Sequence, residues 1–351
     1  MIARRLLVLV SVVLAGFLGV SASASAVPAL SLPDPGGPYP IGRQVLHLVD
    51  TGRADPWRPA QRRELMVSMW YPAVPAGKPS TWMTPAESAE SVAGRKLDLP
   101  PDTFSRVRVH ARENAPVLPS PGRPLVLLSP GAGNSRSTLT ALAERLASKG
   151  YVVAGIDHAY EGWGVEFPGG RLLSCIPCGQ SGDPWPRAIA GRVPDVSFVL
   201  DTLLRDRRWP IDPARIGMAG HSAGGSATAA AMTADRRIRA GVDLDGPLFA
   251  PVSIDRPFAV LESPLGSRAY GASWTENWPR LTGWKQRLLL EDSGHSTGTD
   301  EGILVDQLGL RGSLPPEQLR NQYGSIDSSA GLDFYRDYLT NFFGGFLKGA
   351  R

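Results

Sequence analysis

From residue 124 onward, short apolar runs alternate with stretches that are apolar on one side only. Residues 125–129, four apolar residues closed by Ser129, predict a buried strand. Residues 137–149 place Leu139, Leu142 and Leu146 at helical spacing, and Gly150 is the expected stop. The same reading predicts strands at 151–156, 215–219, 240–244, 258–261 and 288–290. It predicts helices at 193–204 and 223–233, and a last helix with Tyr335, Tyr338, Leu339, Phe342 and Phe346 on one face. Strands alternating with helices imply an α/β fold, a mostly parallel central sheet covered by helices on both faces. Its reactive groups should gather at the carboxyl ends of the strands. Upstream, 44–50 and 64–71 read as an antiparallel pair at the N-terminal edge of the sheet, separated by a proline-containing connector. Residues 75–122 are polar and proline-rich and suggest an elaboration over the sheet. One domain is expected over 40–351, preceded by a flexible leader at 27–39.

The first 26 residues have a different pattern. Arg4 and Arg5 precede an apolar run at 6–20, and small residues end at Ala24, Ser25 and Ala26. That run is 15 residues long, short of the roughly 20 needed to cross a bilayer, so 1–26 reads as a cleaved secretory signal peptide. The expected location is extracellular, without stable membrane insertion. No cysteine lies near the cleavage point to carry a lipid.

Composition narrows the choices further. The chain has 351 residues, 42% hydrophobic and 20% charged, ample for a buried core without staples. The net charge is +4, and the signal holds two of the arginines, leaving 35 basic against 33 acidic residues. No electrostatic footprint for nucleic acid remains. The two cysteines, Cys175 and Cys178, share one loop. In an oxidising compartment this C-x-x-C favours a local disulfide over a free redox pair. Zinc would need two more ligands that no nearby Cys or His supplies.

Candidate chemistry centres on Gly220, His221, Ser222, Ala223 and Gly224, a G-x-S-x-G between an apolar strand and an alanine-rich helix start. A sharp strand-to-helix turn lifts the serine oxygen out of the sheet, and flanking glycines let the backbone close. A serine needs a base, and of five histidines only His295 follows Ser222, in the expected order of serine, acid, histidine. His221 should point back into the scaffold, and His158 should shape the pocket. Asp245, at the end of the next strand beside Gly246 and Pro247, is the preferred acid. Glu262, ending the following strand, is the alternative, and Asp243 reads as a structural carboxylate. The 130–134 loop, Pro130, Gly131, Ala132, Gly133, Asn134, follows the first buried strand. The amides of Ala132 and Ala223 are expected to form the oxyanion hole. The loop does not have the spacing of a nucleotide-binding loop.

These residues resemble the platelet-activating-factor acetylhydrolase family of α/β-hydrolases, with bacterial secreted lipases and polyester hydrolases close to it. The resemblance spans roughly 40–345. It rests on Trp70, Tyr71 and Pro72, the glycines at 131 and 133, Asp157 and His158 followed by Phe167 and Pro168, the GHSAGG at 220–225, and the stretch 242–246. It implies an α/β-hydrolase fold, Ser222 as nucleophile, Asp245 as acid, His295 as base and oxyanion amides at Ala132 and Ala223. Pro130 stands where relatives often have histidine, and Gly246 and Pro247 replace a bulkier segment.

The expected activity is hydrolysis of carboxylic esters, of lipids or short acyl chains, through an acyl-enzyme on Ser222, with no metal and no cofactor. The expected partner is a small-molecule or lipid ester, and the sequence leaves the oligomeric state open. Long-chain or polymeric esters are the alternative substrates, and a non-catalytic binding protein on the same scaffold is a remote one. Trp163, Phe167, Trp185, Trp274 and Trp278 are candidates to line an apolar groove.

Overall fold

A computed structural model describes residues 29–349, and the signal expected at 1–26 lies outside them. The described residues form twelve strands. In chain order they are β1 (Ile41–Ala54), β2 (Arg62–Pro72), β3 (Pro79–Thr81), β4 (Arg108–Glu113), β5 (Arg123–Ser129), β6 (Val152–His158), β7 (Val165–Phe167), β8 (Arg171–Leu173), β9 (Ile211–His221), β10 (Ile238–Leu244), β11 (Phe258–Glu262) and β12 (Lys285–Leu289). The helices are α1 (Pro85–Gly94), α2 (Thr140–Ser148), α3 (Trp185–Arg205), α4 (Ala223–Ala234), α5 (Pro264–Asn277), α6 (Glu301–Gln307), α7 (Pro316–Tyr323) and α8 (Ser328–Leu347).

Ten strands make one sheet in the order β12-β11-β10-β9-β5-β6-β2-β1-β4-β3, while β7 and β8 pair separately. The run from β12 to β6 is parallel, and β2 joins it antiparallel. Period-two alternation explains how helices cover both faces. Leu125 and Leu127 face a core with Val196 and Leu200 of α3 and Ala227 and Met232 of α4. Val126 and Leu128 face the opposite core, with Leu142 and Leu146 of α2 and Leu339 and Phe343 of α8. The chain leaves β5 toward β6 on one side, and β9 lies on the other. The loops after β5 and β9 therefore diverge at this switch in strand order, where open α/β sheets form their crevice.

Several expectations are corrected. The antiparallel pair β1–β2 lies inside the rim, because β4 and β3, both from the 75–122 region, extend the sheet beyond it. Residues expected as a flexible leader are packed from Leu30 on: Leu30 and Leu32 are buried, and the Leu32 amide bonds to the Arg108 carbonyl. Helix α3 starts well before residue 193 and runs through Pro194. In α8 it is Phe343, not Phe346, that reaches the core; Phe346 is exposed against Trp284.

Candidate active site

Ser222 sits at the turn between β9 and α4 with φ 54°, a conformation costly for a side chain with a Cβ. Bonds hold it there: the Ser222 amide donates to the Leu244 carbonyl, and the Gly225 amide donates to the Ser222 carbonyl, both at 2.8 Å. The flanking glycines are steric necessities. A Cβ on Gly220 would lie 2.1 Å from the Gly224 carbonyl oxygen, and one on Gly224 would lie 1.9 Å from that of Ser129.

His295 Nε2 lies 3.0 Å from Ser222 Oγ, and its Nδ1 lies 2.7 Å from Asp245 Oδ2. A carboxylate only accepts, so the Nδ1 proton points to Asp245 and Nε2 is left to take the serine proton. The expected trio of Ser222, His295 and Asp245 is therefore one hydrogen-bonded path.

Asp245 is itself held. Its Oδ1 accepts from the Ser263 amide at 2.7 Å and its Oδ2 from Ser263 Oγ at 2.6 Å. Gly266 leaves room for the carboxylate, since a Cβ there would lie 1.9 Å from Oδ1. Glu262, the alternative acid, is turned away and accepts from Arg287 at 2.6 and 3.0 Å. Asp243 accepts from the Gly246 amide at 2.7 Å, and burial raises its carboxyl well above the usual range.

His221 is buried in the scaffold as expected, and its ring lies against His295. Its ring centroid is 4.8 Å from that of His295, and its Nε2 donates to the His295 carbonyl at 2.7 Å. Burial, and then the neighbouring His295, push its pKa down to about 4. Its Nδ1 has no hydrogen-bond partner among the described residues. Gly131 makes space for that ring, since a Cβ there would come within 2.8 Å of Nδ1.

The 130–134 loop borders the elbow, because Ser129 pairs with Gly220 across β5 and β9. The Ala223 amide is in the first turn of α4, where amides lack intrahelical partners and the helix dipole is positive. Across the loop, Trp163 and the Cys175–Cys178 disulfide pack near Gly133: Cys178 Sγ and Trp163 Nε1 lie 3.1 and 3.3 Å from where a Cβ would stand. Of the five aromatic residues expected in a groove, Trp163 borders the site in this way. Phe167, Trp185 and Trp274 are core, and Trp278 packs against the cluster that holds Trp185 and Trp274. His158 lies beneath the loop, fully buried, and does not line the pocket.

The family described as platelet-activating factor acetylhydrolase, isoform II, matches residues 30–162. A probable 1-alkyl-2-acetylglycerophosphocholine esterase of Arthroderma benhamiae is 28% identical, over 93% of this chain and 91% of its own length. A platelet-activating factor acetylhydrolase of Cavia porcellus is 23% identical over 88% and 78%. The solved structure of a ferulic acid esterase from Streptomyces cinnamoneus is 40% identical, covers 92% of this chain and 94% of that one, and has a TM-score of 0.83. The chain belongs to the platelet-activating factor acetylhydrolase-like family of α/β-hydrolases. It is a carboxylic ester hydrolase. A dienelactone hydrolase-like phosphotriesterase from metagenomic libraries, at 13% identity and TM-score 0.52, shares the fold.

Sequence reasoning missed two parts of this candidate site. Ser263 carries a signal, a serine before proline at the start of α5, where it also caps the helix by accepting from the Gly266 amide at 3.0 Å. The charged residues under the loop, Glu161, Arg192 and Asp195, show no periodicity that announces them. Among the described residues, no cluster of three His, Cys, Asp or Glu side chains forms a metal-binding group, and no helix is long and apolar enough to cross a membrane.

Proposed function

We propose that this hydrolase cleaves carboxylic esters through an acyl-enzyme on Ser222. The observation carrying the reading is the continuous path from Asp245 through His295 to Ser222 Oγ, on a backbone turn held at positive φ. His295 takes the Ser222 proton as the oxygen attacks the ester carbonyl. The amides of Ala132 and Ala223 receive the charge that develops on the carbonyl oxygen. His295 then protonates the departing alcohol, and water, deprotonated by the same imidazole, releases the acid and restores the serine.

Short acyl groups are the proposed preference. A cavity of about 130 Å³ between α4 and the segment 248–252, lined by Ile189, Ser226, Leu248 and Phe249, begins one turn from Ser222. It is small beside the roughly 300 Å³ at the low end for pockets enclosing drug-sized ligands. Esters of a compact aromatic acid are the second reading, favoured by the 40% identity to the ferulic acid esterase. Secretion is proposed from the pattern of residues 1–26.

Activity on p-nitrophenyl acetate, butyrate, octanoate and palmitate, beside methyl ferulate and a polyester film, tests the substrate reading. Rates that fall from acetate to palmitate support short acyl groups, a dominant rate on methyl ferulate favours the second reading, and a maximum on palmitate or the film contradicts both. N-terminal sequencing of protein recovered from the medium should begin near Val27.

A further inference from the structure

Beneath the 130–134 loop lies a charged network that the chemistry at Ser222 does not use. Arg192, on α3 and only 1% exposed, donates from Nη1 to the Pro130 carbonyl at 2.6 Å and to Ser129 Oγ at 3.1 Å. Its Nε donates to Glu161 Oε2 at 2.8 Å. Glu161 closes the circuit through its backbone: its carbonyl accepts from the Gly133 amide at 3.1 Å, and two residues on, the Trp163 amide donates to the Gly133 carbonyl at 3.0 Å. The Glu161 carboxylate is steadied in turn by Trp57 Nε1 at 3.1 Å and Arg63 at 3.4 Å.

Ser129, the last residue of β5, repeats the arrangement of the reactive trio. His158 Nδ1 lies 2.8 Å from Asp195 Oδ2, and His158 Nε2 lies 3.1 Å from Ser129 Oγ. Burial, and then the charge of Arg192, push the pKa of this imidazole down, and Arg192, which can only donate, takes the acceptor side of the Ser129 hydroxyl. Ser129 therefore donates to His158 and accepts from Arg192. These three side chains are fully buried, so this second alignment meets no substrate; it sets the hydroxyl that orients Arg192.

Burying a guanidinium is costly unless every donor is matched, and apolar side chains of similar volume would fill this space more cheaply. Here Nη1 is shared between the Pro130 carbonyl and Ser129 Oγ, and Nε holds Glu161, whose own backbone carries Gly133. Pro130 is pinned by Arg192 and Gly133 by the Glu161–Trp163 backbone. Ala132 lies between these two fixed points, and its amide direction has little freedom.

We propose that Arg192 and Glu161 are positioning residues that lock the 130–134 loop so that the Ala132 amide is pre-aimed at the oxyanion. This rests on the proposed serine mechanism and assigns it a support that touches no substrate. A donor of this kind acts when charge develops, so loosening it should lower kcat while substrate KM stays nearly unchanged.

The test compares Arg192→Met, Arg192→Lys and Glu161→Gln with wild type on p-nitrophenyl acetate. It also measures the affinity of each for a trifluoromethyl ketone, which adds to a nucleophilic serine as a tetrahedral oxyanion. Complete loss of one oxyanion donor costs about 10²- to 10³-fold, so a misaimed one in Arg192→Met should cost roughly 10- to 100-fold in kcat and a similar factor in ketone affinity. Arg192→Lys, which keeps one charged donor, should recover part of both, and Glu161→Gln should show a smaller loss in the same two quantities. A merely structural role would lower the unfolding temperature and leave ketone affinity in the folded protein unchanged, and that result in Arg192→Met overturns the proposal. If Arg192→Met does not fold, Arg192→Lys and Glu161→Gln decide: reduced ketone affinity in the folded variants supports it, and wild-type affinity overturns it. Ser222→Ala separates the two readings. If it retains full activity, the serine mechanism and this proposal fail together. If it is inactive while the Arg192 and Glu161 variants match wild type, only the loop lock fails.

Discussion

Replacing Asp245 with asparagine changes one atom of the acid and nothing of its shape. The carboxylate accepts three hydrogen bonds: from His295 Nδ1 at 2.7 Å, from Ser263 Oγ at 2.6 Å and from the Ser263 amide at 2.7 Å. Asparagine has one acceptor oxygen, so its NH₂ must face either the Ser263 amide or the imidazole and hydroxyl. A backbone N–H cannot reverse its role, whereas an imidazole can change tautomer and a hydroxyl can rotate. The NH₂ therefore turns toward His295, which must then accept at Nδ1 and carry its proton on Nε2. That tautomer donates to Ser222 Oγ and is useless as a base. Trapping the wrong tautomer costs on the order of 10⁴ in turnover, which is about 5 kcal/mol at roughly 1.4 kcal/mol per tenfold. The assay is kcat of Asp245→Asn on p-nitrophenyl acetate, normalised to folded protein, beside Glu262→Gln. Because Glu262 is paired with Arg287, Glu262→Gln should stay close to wild type. Retention of more than about a tenth of wild-type turnover in Asp245→Asn, or a larger loss in Glu262→Gln, would refute the reasoning.

Other outcomes follow from the same geometry. Gly224→Ala should lower the unfolding free energy by at least about 2 kcal/mol in a denaturant titration, because the new Cβ meets the Ser129 carbonyl oxygen at 1.9 Å. His221, with its pKa down at about 4, refuses a proton that the unfolded chain takes up near pH 6.5. Its contribution is present above that pH and is lost as the pH falls toward 4, about 3 kcal/mol at the acid end. In His221→Gln, which keeps a donor but does not titrate, stability should fall less steeply across that window, and an unchanged slope would count against the assignment. Removing the Cys175–Cys178 bridge, which closes a loop of sequence separation 3, should cost about 2 kcal/mol by chain entropy, read as a drop in unfolding midpoint in the double serine variant.

The central sheet and the hydrogen-bonded trio were legible because each leaves a local mark. Strand β5 is buried on both faces and carries the four apolar residues closed by Ser129. The elbow is written in consecutive residues, and His295 is the sole histidine after Ser222. Asp245 was harder to separate from Glu262, since both end parallel strands. The distinction lies in Ser263 holding one and Arg287 claiming the other, and neither pairing follows from spacing. Helix α5 was missed because its buried side is nearly reduced to Trp274, too sparse for a helical period. The leader misled because Leu30 and Leu32 sit among prolines and glycines, and their burial depends on distant partners such as the Arg108 backbone. The network around Arg192 joins residues from β2, the 159–163 turn and α3, and contacts between separate elements leave no periodic trace.

The most direct trial of the serine mechanism is mass spectrometry of the protein after exposure to a fluorophosphonate, which reacts with an activated serine hydroxyl. The account predicts a single adduct on the peptide bearing Ser222, parallel loss of ester hydrolysis, and no adduct in Ser222→Ala. Folded, active wild-type protein that takes up no label, or takes it up at another residue while Ser222 stays free, would contradict it.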